Sequence, residues 1–161
     1  MVIRRSHESD ANAIASLAAR LGCTVSGREV SSLQASILLL PDHAVFLAEY
    51  ERRRSAGWLH VFVSRRVVVS PFAELGGIVV DDAHRRSGIG SALLAKAEDW
   101  ALRAGCLVLR IRSNAERVQA DTFYRDCGVD LSKTQSLLFT ELQVAANPSY
   151  RGGLESEVRS V

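Results

Sequence analysis

A short segment that combines two arginines with two glycines is the part of the chain best suited to chemistry. It reads Arg85-Arg86-Ser87-Gly88-Ile89-Gly90 and lies between a β-rich run and an amphipathic helical run. A helix start leaves backbone N–H groups unpaired and carries partial positive charge, so it attracts an anion. Glycines let the backbone approach a phosphate without interference from Cβ atoms, and arginine side chains add charge-assisted hydrogen bonds. The segment therefore predicts a phosphate-binding turn.

Two better-known phosphate loops do not fit this segment. A P-loop requires GxxxxGK[ST], and the sequence contains neither Gly-Lys-Ser nor Gly-Lys-Thr. A dinucleotide-binding fingerprint requires GxGxxG, and Leu93 stands where the third glycine is needed. A glycine-rich turn without a ligand is the alternative. The neighbouring arginines, the strand before and the helix after favour the anion site.

Two helices are predicted before Pro41. In the first, apolar residues recur at helical spacing from Ile14 until Gly22 ends the helix. The second starts at a capping box, in which the Ser26 oxygen accepts the amide of Glu29 and the Glu29 carboxylate reaches back. The residues that this helix is expected to bury are Val30, Leu33, Ile37 and Leu38.

The remaining chain predicts the strands of a sheet and two further helices. A strand at 1–5 precedes the first helices, and β-rich runs at 44–50, 56–64 and 74–81 follow them, the first two as a hairpin. A glycine pair, Gly76-Gly77, in the last of these runs indicates a β-bulge or a close backbone approach. Next come a helix at 89–104, a strand at 107–112, a helix at 116–127 and a strand at 136–142. The order βααβββαβαβ predicts one α+β domain over residues 1–144, with a frayed tail at 145–161.

Composition narrows the class of protein. The chain has 161 residues, of which 47% are hydrophobic and 24% charged, with a formal net charge of +2. Its arginines are scattered, so we expect no nucleic-acid partner, and no apolar run approaches the ~18 residues of a membrane span. The cysteines Cys23, Cys106 and Cys127 lack metal-binding spacing and are typical of reduced, buried thiols. We expect a cytoplasmic protein without a metal.

Two blocks of the sequence resemble the GNAT family of N-acetyltransferases. The block 79–94 is similar to the acetyl-CoA-binding motif [Q/R]-x-x-G-x-[G/A], carried here by Arg85, Gly88 and Gly90. In the second block Asn114 precedes a helix with Ala-x-x-Phe-Tyr, and Gly128 follows. The resemblance covers residues 2–142. It implies a mixed, mostly antiparallel central sheet flanked by helices, and acetyl-CoA as the acetyl donor.

The resemblance also implies how the donor is bound. Backbone amides of the 85–90 turn would bind the pyrophosphate, and the end of the fourth strand would splay from the fifth and pair with the pantetheine arm. Asn114 would face the same arm, and Tyr124 would lie near the thioester sulfur. The implied binding residues are Ile78, Val79, Val80, Arg85, Arg86, Ser87, Gly88, Ile89, Gly90, Ser91, Asn114 and Tyr124.

The implied reaction is direct attack of a neutral amine on the acetyl carbonyl in a ternary complex. A backbone N–H near Val80 would stabilise the oxyanion, and Tyr124 would protonate the departing thiolate, unless it is only a core aromatic residue. Glu74, expected at the start of the fourth strand, is the first candidate for the general base, against a solvated edge charge. His60 is the second, against a structural histidine.

The acceptor and the assembly stay open at this point. Trp58 and Phe72 would wall an acceptor pocket or pack in the core. The last strands resemble those of small-molecule acetyltransferases, which favours a small amine acceptor. A protein acetyltransferase and a non-catalytic acyl-CoA sensor are the alternatives. A homodimer is expected through the exposed edge of the last strand.

Overall fold

One sheet of five strands carries the site. The computed structural model describes residues 1–50, 54–112 and 118–129. The strands are β1 (Val2–Arg5), β2 (His43–Tyr50), β3 (Arg54–Arg66), β4 (Val69–Val80) and β5 (Leu109–Arg110), and they lie side by side in that order. The first four strands pair antiparallel and β5 runs parallel to β4. The predicted α+β class with a mostly antiparallel sheet is confirmed.

Four α-helices accompany the sheet in the described ranges. They are α1 (Ala11–Ala18), α2 (Gly27–Leu38), α3 (Ile89–Arg103) and α4 (Val118–Asp126). Gly22, with φ of 83°, ends the 3-10 turn Ala19–Leu21 that extends α1. The predicted element order is confirmed through α4, while the strand at 136–142 and the tail at 145–161 lie outside the described residues. No helix in these ranges combines the length and apolar character of a bilayer span.

The chain divides into two compact units. The first is Met1–Arg112 and holds the whole five-stranded sheet with α1, α2 and α3. The second begins at Ser113, and its described part is α4 with the residues up to Val129. The single domain over residues 1–144 stays a prediction.

The structure confirms the predicted start of α2, but the face of the helix that is buried differs from the predicted one. The amide of Glu29 donates to Ser26 Oγ over 3.2 Å, and the Ser26 amide donates to Glu29 Oε2 over 2.7 Å, which completes the capping box. Leu33, predicted to be buried, is 56% exposed, and Gln34 is buried instead. The Gln34 amide donates to Ser6 Oγ and to the His7 carbonyl. These bonds turn the helix so that Leu33 faces outward.

Helices cover both faces of the sheet. On one face α1 and α2 pack with β2 through Ala11, Ile14, Ala15, Val30, Val45 and Leu47, and Trp58 joins this cluster. Gly57, the neighbour of Trp58, points to the other face because side chains alternate along a strand. There a Cβ on Gly57 would touch Leu93 and Ile89 of α3. The sheet is thus a rigid support between the two helical layers.

Two strand predictions are corrected in length. β4 begins at Val69, not Glu74, and β5 spans two residues where six were predicted. The bulge is present as the glycine pair indicated. The β3 register passes from His60–Gly77 to Val61–Leu75, so Gly76 is the extra residue of β4.

Candidate functional site

The turn before α3 has the backbone of an anion site. Arg86 and Gly88 both adopt left-handed conformations, with φ of 60° and 82°. Left-handed residues in a turn gather successive N–H groups into a concave nest that suits an anion. Ala92 donates to the Gly88 carbonyl over 3.0 Å, and helix geometry leaves the earlier amides of Ile89 and Gly90 pointing out of the helix end. The turn thus has the backbone conformation that an anion site requires, and phosphate binding itself stays a prediction.

Side-chain hydrogen bonds and ion pairs stabilise this turn. The Asp81 carboxylate accepts the Ala83 amide over 3.0 Å and pairs with Arg20 over 2.6 Å. Ser87 donates its hydroxyl to the His84 carbonyl. Arg85 pairs with Asp82 over 2.7 Å, but both side chains are more than half exposed. A surface ion pair of this kind contributes little, so the Arg85 guanidinium is available to an incoming anion.

At Ile78 and Val80 the edge of β4 on the side of β5 has no strand partner among the described residues, and we call it the open edge. Within the described residues β5 pairs with β4 only at Ala73–Leu109 and Glu74–Arg110, although β4 continues to Val80. The Asp81 amide donates to Ala56 on the β3 side. Because backbone groups alternate between the two edges of a strand, those of Ile78 and Val80 point to the open edge.

The backbone groups of Val79 point to the other edge of β4, unlike those of Ile78 and Val80. The carbonyl oxygen of Val79 faces β3, where it would lie 2.7 Å from a Cβ on Gly57. The side chain of Val79 is buried at 3% exposure. Of the three residues implied to bind the pantetheine arm, Ile78 and Val80 therefore direct their backbone groups to the open edge, and Val79 does not; binding of the arm stays a prediction.

Glu74 is a buried carboxylate in the middle of β4, not an edge charge at its start. It is 5% exposed, and Arg112 donates to its carboxylate. Register places Glu74 opposite Phe62 of β3 and Arg110 of β5. The arginine compensates a charge that burial alone would disfavour. Nothing in the sequence pattern singled out Arg112, because its proximity to Glu74 depends on the parallel pairing of β4 with β5.

His60 is half-buried on the same sheet face and bonds to a second histidine. Its Nε2 lies 3.0 Å from His43 Nδ1, and the two rings stack with centroids 5.3 Å apart. Burial, and secondly the nearby His43, lower the pKa of His60 to about 4. His60 is therefore neutral near pH 7. The sequence analysis missed His43, although strand alternation places it on the same face as His60 once the β2–β3 register is known.

Phe72 and Trp58, the two aromatic residues predicted to wall an acceptor pocket or pack in the core, lie in different surroundings. Phe72 is 2% exposed between the guanidinium groups of Arg66 and Arg110, which lie 5.2 and 3.7 Å from its ring centroid. It therefore packs and does not wall a pocket. Trp58 is half-buried, and its Nε1 is buried with no hydrogen-bond partner among the residues that the structure describes.

The second block of the family resemblance lies in the second compact unit. Tyr124 is half-buried on α4, and its ring centroid lies 5.2 Å from that of Phe123. Gly128, with φ of 80°, follows the helix as predicted. Asn114 lies outside the described residues.

A helix start with outward-pointing amides, beside a strand edge that has no strand partner among the described residues, suits an elongated ligand with a phosphate at one end and an amide-bearing arm. This geometry fits acetyl-CoA, whose pyrophosphate and pantetheine arm have these properties. Residues 13–129 match the model of the Acetyltransferase (GNAT) family. The chain belongs to this family, and it is an acetyl-CoA-dependent N-acetyltransferase.

Individual relatives agree with this assignment. The chain is 33% identical over 132 residues to an aminoglycoside N(6′)-acetyltransferase type 1 of Stenotrophomonas maltophilia, covering 80% of this chain and 85% of that protein. A protein of the same description from Acinetobacter haemolyticus is 31% identical over 108 residues, covering 64% and 74%.

Solved structures share the fold. An apo aminoglycoside antibiotic 6′-N-acetyltransferase from Acinetobacter haemolyticus superposes with a TM-score of 0.74 at 23% identity, over 90% of this chain and 100% of that one. Glucosamine-6-phosphate N-acetyltransferase from Arabidopsis thaliana gives a TM-score of 0.75 at 20% identity, over 87% and 98%. Among the described residues, no group of three potential metal ligands could hold an ion.

Proposed function

We propose that this enzyme acetylates a primary amine on a small molecule of the aminoglycoside type. The two curated relatives with that printed activity support the acceptor class. The observation that supports the proposal is the turn before α3, with left-handed Arg86 and Gly88, next to the open edge of β4. The two alternatives, a protein acetyltransferase and a non-catalytic sensor, draw no support from these relatives.

The donor would be held along the turn and the strand edge. Amides of residues 86–91 would bind the pyrophosphate, with Arg85 and Arg86 adding side-chain donors. The backbone groups of Ile78 and Val80 would pair with the pantetheine arm, as an added strand does at a sheet edge. Asn114, which matches the asparagine of the family motif, would also contact the pantetheine arm. Acetyl-CoA supplies an activated acetyl group and a thiolate leaving group.

The chain would contribute a base, an acid and an oxyanion donor. Glu74, which pairs with Arg112, would remove a proton from the attacking nitrogen. The amides of Ile78 and Val80 point to the edge where the acetyl oxygen would lie, so one of them would stabilise the developing negative charge. Tyr124, by its match to the family tyrosine, would protonate the departing thiolate.

The proposal also covers the cellular location and the oligomeric state of the enzyme. A reducing, cytoplasmic environment is consistent with the cysteines, since Cys23 and Cys106 are free thiols and Cys106 is buried. A homodimer through the strand predicted at 136–142 stays part of the proposal.

The direct experiment is acetylation of kanamycin A, an aminoglycoside with a 6′-amine, by the purified protein and acetyl-CoA. Mass spectrometry would detect one added acetyl group, and release of free CoA would give the rate. Tyr124→Phe and Glu74→Gln should each lower kcat about 100-fold or more and leave acetyl-CoA binding unchanged. Glu98→Gln, an exposed carboxylate on α3, is the matched control.

Two other results would redirect the proposal. Transfer to peptide amines, with kanamycin A left unmodified, would indicate a protein acceptor. Binding of acetyl-CoA without transfer to any amine would indicate a sensor.

A further inference from the structure

His43 and His60 form a hydrogen-bonded pair that the proposed mechanism does not use. They stand on the adjacent strands β2 and β3, and His43 Nδ1 lies 3.0 Å from His60 Nε2. Phe62 stacks on the His43 ring with centroids 5.3 Å apart and fixes its plane. A pair of imidazoles in this arrangement has one further nitrogen at each end.

The inner end of the pair reaches the β4 bulge. A Cβ on Gly76 would lie 2.4 Å from His60 Nδ1, so only glycine at this position leaves room for the ring. The bulge separates Glu74, where pairing with β5 stops, from Ile78, where the open edge begins. His60 Nδ1 therefore lies beside the residues of β4 that follow its described pairing with β5.

The outer end of the pair reaches the protein surface. His43 Nε2 lies 3.9 Å from the Asp42 carboxylate, and both side chains are partly exposed. Arg65 donates to the same carboxylate over 2.8 Å and is 61% exposed. A proton that arrives at His43 can thus pass to water beside Asp42.

The surroundings of His60 allow it to pass a proton on but disfavour a resting imidazolium. Burial, with a smaller contribution from His43, holds the pKa of His60 at about 4, so a resting imidazolium there is disfavoured. The charged groups on this face include Asp42 and Arg65 at the outer end, and Glu74 with its partner Arg112 and its β5 neighbour Arg110. Arg66 lies with Arg110 over the Phe72 ring. A neutral imidazole can accept a proton on one nitrogen while it donates from the other.

We propose that His60 and His43 relay to solvent the proton that an ammonium acceptor must lose before it attacks. The N–H bond of the ammonium breaks as an N–H bond forms at His60 Nδ1. The proton on His60 Nε2 moves to His43 Nδ1, and the proton on His43 Nε2 leaves to water, so one proton enters and one leaves. The free amine then attacks, and its second excess proton goes to Glu74. The relay rests on the proposed acetyl transfer, in which His60 contacts the acceptor and His43 is a positioning and relay residue.

Kinetics with kanamycin A test the relay. His43→Phe keeps the ring stack and removes both nitrogens, while His43→Gln keeps an acceptor for His60 and cannot pass a proton on. Each variant should lower kcat about 10-fold or more near pH 7 with the Kd for acetyl-CoA unchanged. Both should approach the wild-type rate as the pH nears the pKa of the acceptor amine, because solvent then supplies the free amine. Unchanged kcat, or a loss that is equal at every pH, would overturn the relay.

Nitrogen NMR of the resting protein supplies a test that needs no acceptor. Near pH 7 the relay requires two neutral imidazoles, with a scalar coupling between His60 Nε2 and His43 Nδ1 across their hydrogen bond. Absence of that coupling, or a doubly protonated His60, would overturn the relay whatever the acceptor is. If the wild-type protein leaves kanamycin A unmodified, the proposed acceptor is contradicted. The scalar coupling between the two histidines would then be the test of the relay.

Discussion

The half-buried His60 should make the stability of the fold depend on pH in a defined window. Its pKa is about 4 in the folded protein and 6.5 when exposed. Between these values the unfolded chain binds more protons than the folded one, so protonation favours unfolding. The contribution of His60 is therefore complete above pH 6.5 and is lost progressively as the pH falls to about 4. At about 1.4 kcal/mol for each pH unit of the interval, the loss is at most about 3.5 kcal/mol.

Urea unfolding from about pH 7 down to about pH 4 measures this dependence. His60→Gln removes the titrating group and keeps a donor for His43, so its free energy of unfolding should vary less with pH over this window. His43→Phe should lie between the two, because it removes only the second cause of the lowered pKa. Asp10 contributes little in this window, because the stability from its pair with Arg4 is lost only as the pH falls through 3.8, its unperturbed pKa, towards about 2. Equal pH dependence of wild type and His60→Gln would refute the half-buried neutral pair.

Two substitutions test the packing that supports the site. Gly57→Ala would place a Cβ 2.7 Å from the Val79 carbonyl oxygen, so β3 and β4 must separate, and urea unfolding should show a loss of about 1–3 kcal/mol; an unchanged midpoint would contradict this contact. Ser26→Ala removes the cap of α2 and should cost about 1 kcal/mol in the same assay. Ser32→Ala, an exposed position inside α2, is its control and should be near neutral.

Local features of the site were predictable because they depend on neighbouring residues. The turn at 85–90 and the capping box at Ser26 are each set by residue types within a few positions of one another, and the structure has them both. The bulge at Gly76 was also signalled locally, by two glycines in a β-rich run. Such features need no knowledge of which strands pair.

Features that depend on distant pairing were not predictable. The carboxylate of Glu74 meets Arg112 only because β5 runs parallel to β4 over two residues. His43 meets His60 only through the β2–β3 register. Likewise, the helical period alone put Leu33 in the core, whereas the bonds of Gln34 to Ser6 and His7 decide the orientation of α2.

Calorimetric titration of acetyl-CoA into wild type, Gly88→Trp and Gly105→Trp tests the central claim most directly. Gly88 and Gly105 lie at opposite ends of α3, with φ of 82° and 79°, and a Cβ added at either position would meet no atom within 4 Å. The two substitutions therefore impose the same backbone strain, of about 1–2 kcal/mol, and differ only in that Gly88 belongs to the anion-binding turn. We predict that wild type and Gly105→Trp bind acetyl-CoA and that Gly88→Trp does not. Equal binding by both variants, or no binding by wild type, would contradict a donor site at residues 85–90.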